Sequence, residues 1–204
     1  MKPSPFYHFA ASITWPLLRI VYRLQANGKE NLPASGGYVL AANHNSNFDP
    51  WPLGIPLYPQ RFLRFMAKSE LYWKPLNYIL DAGGAFPVRR GEKDEQAIQT
   101  AIDLVREGHI VVMFPEGTRR RKGLFKTREA KAHSGAARIA IDAGVPLVPA
   151  GIRGTDRLRN LARLRVDYGA PIPLDDLAGI EPREAAQIAT DRLMAEIDRL
   201  EHLP

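Results

Sequence analysis

The chain has 204 residues, 45% of them hydrophobic and 25% charged, with a formal net charge of +6 and no cysteine. That length and composition suit one globular core rather than two. The missing cysteine excludes disulfides, thiolate metal sites and a cysteine nucleophile, and the basic excess asks for an anionic partner: nucleic acid, anionic lipid or a polyanionic substrate.

Residues 1–28 are apolar and aromatic but interrupted by Pro16, Arg19 and Arg23. They lack the ~20 unbroken apolar residues of a membrane span, and no cleavage site follows an apolar core as in a secretory signal. On a helix Leu17, Ile20, Val21 and Leu24 share one face, with Arg19 and Arg23 opposite and Phe6, Tyr7, Trp15 and Tyr22 nearby. This suits a helix lying in a membrane interface, and equally an amphipathic helix packed on its own domain. After Gly36-Gly37, YVLAA (38–42) reads as a short buried strand, and LRFMA (63–67) and GAFPVRR (84–90) as two more. Ala97, Ile98, Ala101, Ile102 and Val105 form a helical stripe over 93–107, closed by Gly108. HIVVMF (109–114) is a continuous apolar run, as in a strand covered on both faces. A helix over 129–143 and a strand over 145–152 follow, then RLRVDYG (163–169), which alternates like a half-exposed strand. Pro182 opens a last helix that buries Ala185, Ala189, Leu193, Ile197 and Leu200. Strands alternate with helices, so the expected fold is α/β, with a mixed, mostly parallel sheet between helical layers. Neither GxGxxG nor GxxxxGK[ST] occurs, so a nucleotide fold of those kinds has no support.

Two strand ends carry chemistry. The first is VLAANHNSNFDPWPL, residues 39–53. On one straight helix His44 and Asp49 would stand ~140° apart. Asn45, Ser46 and Asn47 are turn formers, and Asp-Pro-Trp starts a helix, so a tight turn can bring the imidazole and the carboxylate together. Asp49 would then accept from one ring nitrogen and leave the other to take a proton from an alcohol. Taken alone, the pair is read as readily as a helix-capping aspartate beside an ordinary loop histidine. His8, His109, His133 and His202 form no ligand pattern with it, so no metal site is expected. The second strand end is HIVVMFPEGTRRRKG. Gly117 lets the backbone approach a ligand, Thr118 offers a hydroxyl, and Arg119 offers a fork for phosphate oxygens. The other reading of this stretch is a strand-end turn and a solvated basic loop. Residues 119–131 hold seven Lys/Arg against Glu129, and 153–165 hold five arginines against Asp156. Between them the clusters hold a single aromatic, Phe125, rather than the interleaved set that stacks bases, so nucleic acid is not the expected partner.

Taken together, these blocks resemble the glycerolipid acyltransferases, the family that includes the lysophosphatidic acid acyltransferases. Asn43-His44 through Asp49 matches the family's NH-x4-D motif, and Phe114 to Arg119 matches its FPEGTR signature. Gly84 to Arg90 resembles the block G-x-x-P/I-x-x-R. VPLVPAG resembles the fourth block, with Pro149 at its fixed proline. AKSELYWKP resembles the family's lysine-bearing segment and supplies Lys68. The blocks stand in the family's order across roughly residues 35–155.

The resemblance implies acyl transfer from an acyl thioester, acyl-CoA or acyl carrier protein, to a lysophospholipid hydroxyl. His44 would be the general base, oriented by Asp49. Lys68, Arg90, Glu116, Gly117, Thr118 and Arg119 would form the acceptor's phosphate site, with Asn43, Gly84, Arg89, Pro115 and Pro149 as further motif positions. Direct attack by the acceptor suits a chain without cysteine, with Ser46 the alternative nucleophile. No cofactor and no metal are implied. Arg89 stands where the family often has an acid, so two arginines compete for the phosphate. Arg120, Arg121 and Lys122 replace a small-residue turn. Because both substrates are amphiphiles, residues 1–28 are expected to be a monotopic membrane-interface segment of an acyltransferase domain spanning 29–204. That places the enzyme on the cytoplasmic face of the cell membrane, peripheral or monotopic, with Trp51, Tyr72 and Trp73 on the membrane side or in the core. The rival expectations are another lysolipid or glycolipid acceptor, or a non-catalytic lipid-binding protein.

Overall fold

A computed structural model of the chain describes residues 4–89, 95–117 and 132–203. In chain order it contains α1 (Pro5–Pro16), β1 (Gln25–Asn27), β2 (Tyr38–Ala42), α2 (Pro50–Gly54), β3 (Leu63–Lys68), α3 (Leu76–Ala82) and β4 (Ala85–Val88). Then come α4 (Glu95–Arg106), β5 (Ile110–Met113), α5 (Gly135–Ala143), β6 (Leu147–Arg153), β7 (Arg165–Tyr168) and α6 (Pro182–Glu201). The strands form one sheet in the order β1-β7-β6-β2-β5-β3-β4, parallel at every pairing except β6 with β7.

All five residues of β2 are buried, because helices cover both faces of the sheet. Val39 and Ala41 face a layer built from Ala101, Ile102 and Val105 of α4, Ala137 and Ile139 of α5, and Ala189, Leu193 and Ile197 of α6. Leu40 and Ala42 face the other way, toward Tyr7 and Ala11 of α1 and Leu53 of α2. The expected mixed, mostly parallel α/β sheet is therefore present, and α6 buries the predicted stripe Ala185, Ala189, Leu193, Ile197 and Leu200. The parallel strands end at a common edge. His44, Lys68, Arg89, Phe114 and Arg153 occupy that edge, where sheets of this class receive ligands.

Local departures have physical causes. The N-terminal segment is α1 followed by a π-helical stretch, Leu17–Val21, that closes Tyr22 N–H onto Leu17 O at 3.3 Å. The wider turn rotates the face. Leu18 and Leu24 are buried, whereas Leu17, Ile20 and Val21 point outward with Phe6, Phe9, Ile13 and Trp15. β7 was expected to be half exposed, yet Val166, Asp167 and Tyr168 are buried, because β1 pairs along its outer side. The Tyr168 hydroxyl donates to Leu53 O at 2.6 Å. The helix expected from 129 begins at Gly135 among the described residues. No described helix is long and apolar enough to cross a membrane.

Candidate active site

β2 stops at Ala42, but its ladder continues through a side chain. Asn43 donates from Nδ2 to Ile152 O at 2.9 Å and accepts at Oδ1 from Ile152 N–H at 2.7 Å, as a peptide unit would. Asn45 Nδ2 reaches the same carbonyl at 3.3 Å. The chain therefore leaves the strand with a fixed direction. The turn that follows is closed by Asp49, whose Oδ2 accepts from Asn45 N–H at 2.8 Å and Ser46 N–H at 2.9 Å. The same oxygen lies 2.8 Å from His44 Nδ1. Asp49 stands at the N-cap position of α2 yet makes no side-chain cap bond there, so the capping role is not the one it has. Two backbone donors already mark Oδ2 as an acceptor. Nδ1 must therefore carry the ring proton, which leaves Nε2 as the basic nitrogen. His44 is 7% exposed and Asp49 fully buried, so the pair keeps one geometry out of bulk water. Ser46 Oγ accepts from Phe48 N–H at 3.2 Å and makes no hydrogen bond to His44.

A residue that sequence reasoning treated only as part of a signature joins the two strand ends. The Phe114 ring stacks on His44, centroids 4.1 Å apart and planes 18° from parallel. Phe114 then leads into a turn closed by Gly117 N–H donating to Phe114 O at 2.9 Å, with Gly117 at φ +66° and Pro115 and Glu116 buried. His133 donates its N–H to Pro115 O at 2.8 Å. At this φ glycine is favoured, and a Cβ at Gly117 would lie 2.6 Å from His133 Cδ2, so glycine lets the imidazole lie where it does against this turn. His133 was set aside in the sequence for want of a metal pattern. Only the folded chain brings it to Gly117.

Of the expected basic groups, Lys68 and Arg89 are among the described residues, and both are exposed, Lys68 at the end of β3 and Arg89 just past β4. Arg89 lines a cleft of about 230 Å³ with Ser69, Val88, Gln96 and Thr100. Arg90, Thr118 and Arg119 lie outside the described residues. Gly84 sits at the opposite edge, where β4 begins. At φ +91° its Cβ would meet Leu63 O at 2.6 Å, so it spaces β4 against β3 rather than touching the site. Pro149 lies within β6, packed beside Gly169, and is not at the edge. Trp51 packs on the core and the Tyr72 hydroxyl is buried, whereas Trp73 is exposed. Among the described residues no cluster of His, Asp and Glu could hold a metal ion.

Residues 23–153 match the family model described as Acyltransferase. The chain belongs to the acyltransferase family. This acyltransferase is 32% identical over 200 residues to the 1-acyl-sn-glycerol-3-phosphate acyltransferase of Bacillus subtilis (strain 168), covering 96% of this chain and 97% of that relative. It is 31% identical over 159 residues to the chloroplastic 1-acyl-sn-glycerol-3-phosphate acyltransferase BAT2 of Brassica napus, 75% of this chain and 44% of that one. Kinship of this extent makes it an O-acyltransferase. Its fold is similar to that of the 1-acyl-sn-glycerophosphate (LPA) acyltransferase PlsC from Thermotoga maritima, with a TM-score of 0.66 at 22% identity over 98% of this chain and 79% of the other.

Proposed function

We propose that the enzyme moves a fatty acyl group from an acyl thioester to the free hydroxyl of lysophosphatidic acid, making phosphatidic acid for phospholipid synthesis. The observation that carries this reading is the buried His44–Asp49 pair, stacked by Phe114 and set beside the Pro115–Gly117 turn. His44 Nε2 takes the proton of the acceptor hydroxyl as its oxygen attacks the thioester carbonyl carbon. A C–O bond forms, and the carbonyl becomes a tetrahedral oxyanion. Its collapse re-forms the carbonyl and breaks the C–S bond, and the leaving thiolate receives the proton from the His44 imidazolium. Asp49 holds the ring in the required tautomer and stabilises its charged form. Such general-base help is typically worth ~10²- to 10⁴-fold. The Ser46 hydroxyl already serves its own turn, which favours direct attack over a serine acyl-enzyme. The Glu116-Gly117 turn with Lys68, Arg90, Thr118 and Arg119 holds the acceptor phosphate, and Arg89 adds charge beside them. The reaction uses no metal and no cofactor, and the donor is acyl-CoA or acyl carrier protein.

Residues 1–28 form the membrane-interface segment of an acyltransferase domain at 29–204, peripheral or monotopic on the cytoplasmic face. Support comes from outward-facing Phe6, Phe9, Ile13, Trp15 and Ile20 on the N-terminal helix. Helix α1 lies against α3, Ser4 Oγ donating to Ala82 O at 2.7 Å, and Tyr78 and Ile79 of α3, with Trp73 just before it, are exposed. Exposed apolar side chains in such number mark a contact with lipid or protein. The test is to supply acyl-CoA and, separately, acyl carrier protein thioester with lysophosphatidic acid and with lysolipids lacking a terminal phosphate, and to identify the product by mass. Phosphatidic acid should form fastest. A faster product from a phosphate-free acceptor would overturn the acceptor assignment.

A further inference from the structure

Arg23 and Leu161 are the non-glycine residues with positive φ among the described residues, at 50° and 49°, and they hold each other: Arg23 Nη2 donates to Leu161 O at 3.0 Å. The loop that carries Leu161 leaves the end of β6, directly beyond the residue to which Asn43 and Asn45 are bonded, so it borders the His44 turn. It is firmly seated. Thr155 is buried, Leu158 packs on the core, and Leu164 donates to Tyr22 O at 3.0 Å while Gln25 N–H donates to Leu164 O at 3.0 Å. Yet its tip directs Leu161 outward, 52% exposed, in a backbone conformation that leucine adopts reluctantly. In water, both the strain and the exposed side chain are unfavourable. Strain held by a well-anchored frame points to function.

The charges around the tip name the partner. Arg153 and Arg165 share the single Asp167 carboxylate at 3.1 and 2.9 Å, and Arg157 is 3.8 Å from Asp156. Arg159 and Arg163 are exposed without an ion pair to any described residue, and so is Arg19 on the helix that ends at this loop. Outward-facing Leu17, Ile20 and Val21 directly precede the Tyr22–Arg23 junction with the loop. An apolar tip bonded to Arg23 and flanked along the chain by exposed Arg157, Arg159 and Arg163, next to an apolar helix end, matches a bilayer whose headgroups are anionic. The side chain enters the hydrocarbon boundary while the guanidinium groups meet phosphate oxygens.

We propose that the 155–163 loop is a second membrane contact, selective for anionic lipid, which with the N-terminal helix holds the catalytic edge against the bilayer. This rests on the membrane reading above and adds the lipid class. The test is sedimentation of the full chain with vesicles of phosphatidylcholine alone and with phosphatidylglycerol added, alongside acyl transfer to detergent-dispersed lysophosphatidic acid. Wild type should prefer the anionic vesicles, and salt should erode the preference. Arg157→Gln/Arg159→Gln/Arg163→Gln should lower binding to anionic vesicles by about tenfold or more, with detergent activity unchanged. Leu161→Ser should weaken binding to both vesicle types and keep their ratio. A triple variant with wild-type anionic preference would overturn the proposal. So would one with unchanged vesicle binding that loses transfer only from acyl carrier protein, since the loop would then dock an acidic carrier. If anionic vesicles are bound as predicted but detergent activity is absent in wild type, the acyl-transfer reading fails and this inference stands.

Discussion

The His44 turn and the rim around it hold their side chains in opposite ways. In the turn, Asp49 is fully buried, its Oδ2 is met by two backbone N–H groups and the imidazole, and Asn43 ties the strand end to Ile152 on both sides. At the rim, Lys68, Arg89, Arg159 and Arg163 are exposed, and Ile20, Trp73 and Leu161 face outward. The proton transfer proposed for this turn needs its atoms placed within a fraction of an ångström, and the turn is over-determined by the fold. The headgroup and membrane contacts proposed for the rim rest on charge and apolar area, which tolerate looser placement.

The comparison can be broken most forcefully at Asp49. Asp49→Asn preserves shape, and its amide oxygen can still accept from His44 Nδ1, but it carries no negative charge to raise the basicity of Nε2 and stabilise the imidazolium. It should lower kcat by ~10²- to 10⁴-fold, with little change in either KM, as read by steady-state kinetics. Asn43→Ala should act through stability. It leaves the Ile152 N–H without its partner in a buried site and should cost about 2 kcal/mol, measured by denaturant unfolding. Gly117→Ala sharpens the contrast from the substrate side. Its positive φ strains an alanine, and the 2.6 Å approach to His133 means that the turn or the imidazole against it must shift, which should raise the acceptor's KM roughly tenfold while leaving the donor's nearly unchanged. The smallest effect lies at the opposite edge of the sheet. His109 precedes β5, and burial pulls its pKa below that of free histidine. As pH falls below ~6.5 the unfolded chain takes up the proton first. Stability should decline from there and level off once the folded-state pKa is passed. His109→Gln should remove that part of the decline in melts recorded across the range.

What was legible in the sequence was local or periodic. The pairing of His44 with Asp49 could be read because the residues between them are turn formers, and α6 could be read because its apolar positions repeat at helical spacing. α3 is only seven residues long and β1 three, too short for any period to register. The π-helical stretch after Pro16 rotated a face that an ideal helix would have placed correctly. The contacts that complete the site are non-local. Phe114 reaches His44 because β5 lies beside β2, Asn43 reaches Ile152 because β6 lies on the other side, and His133 reaches Gly117 only when α5 docks. Gly84 belongs to a recognisable block and yet serves strand packing at the far edge, so a motif position is not always a site position.

The central claim is that His44 is the base that opens the reaction. The direct measurement is thiol release from the acyl thioester by folded wild type and folded His44→Ala, each with and without lysophosphatidic acid, the fold being checked by circular dichroism. The account predicts acceptor-dependent release by wild type and a loss of at least about 10²-fold in the variant. A folded His44→Ala enzyme that releases thiol at the wild-type rate would contradict it.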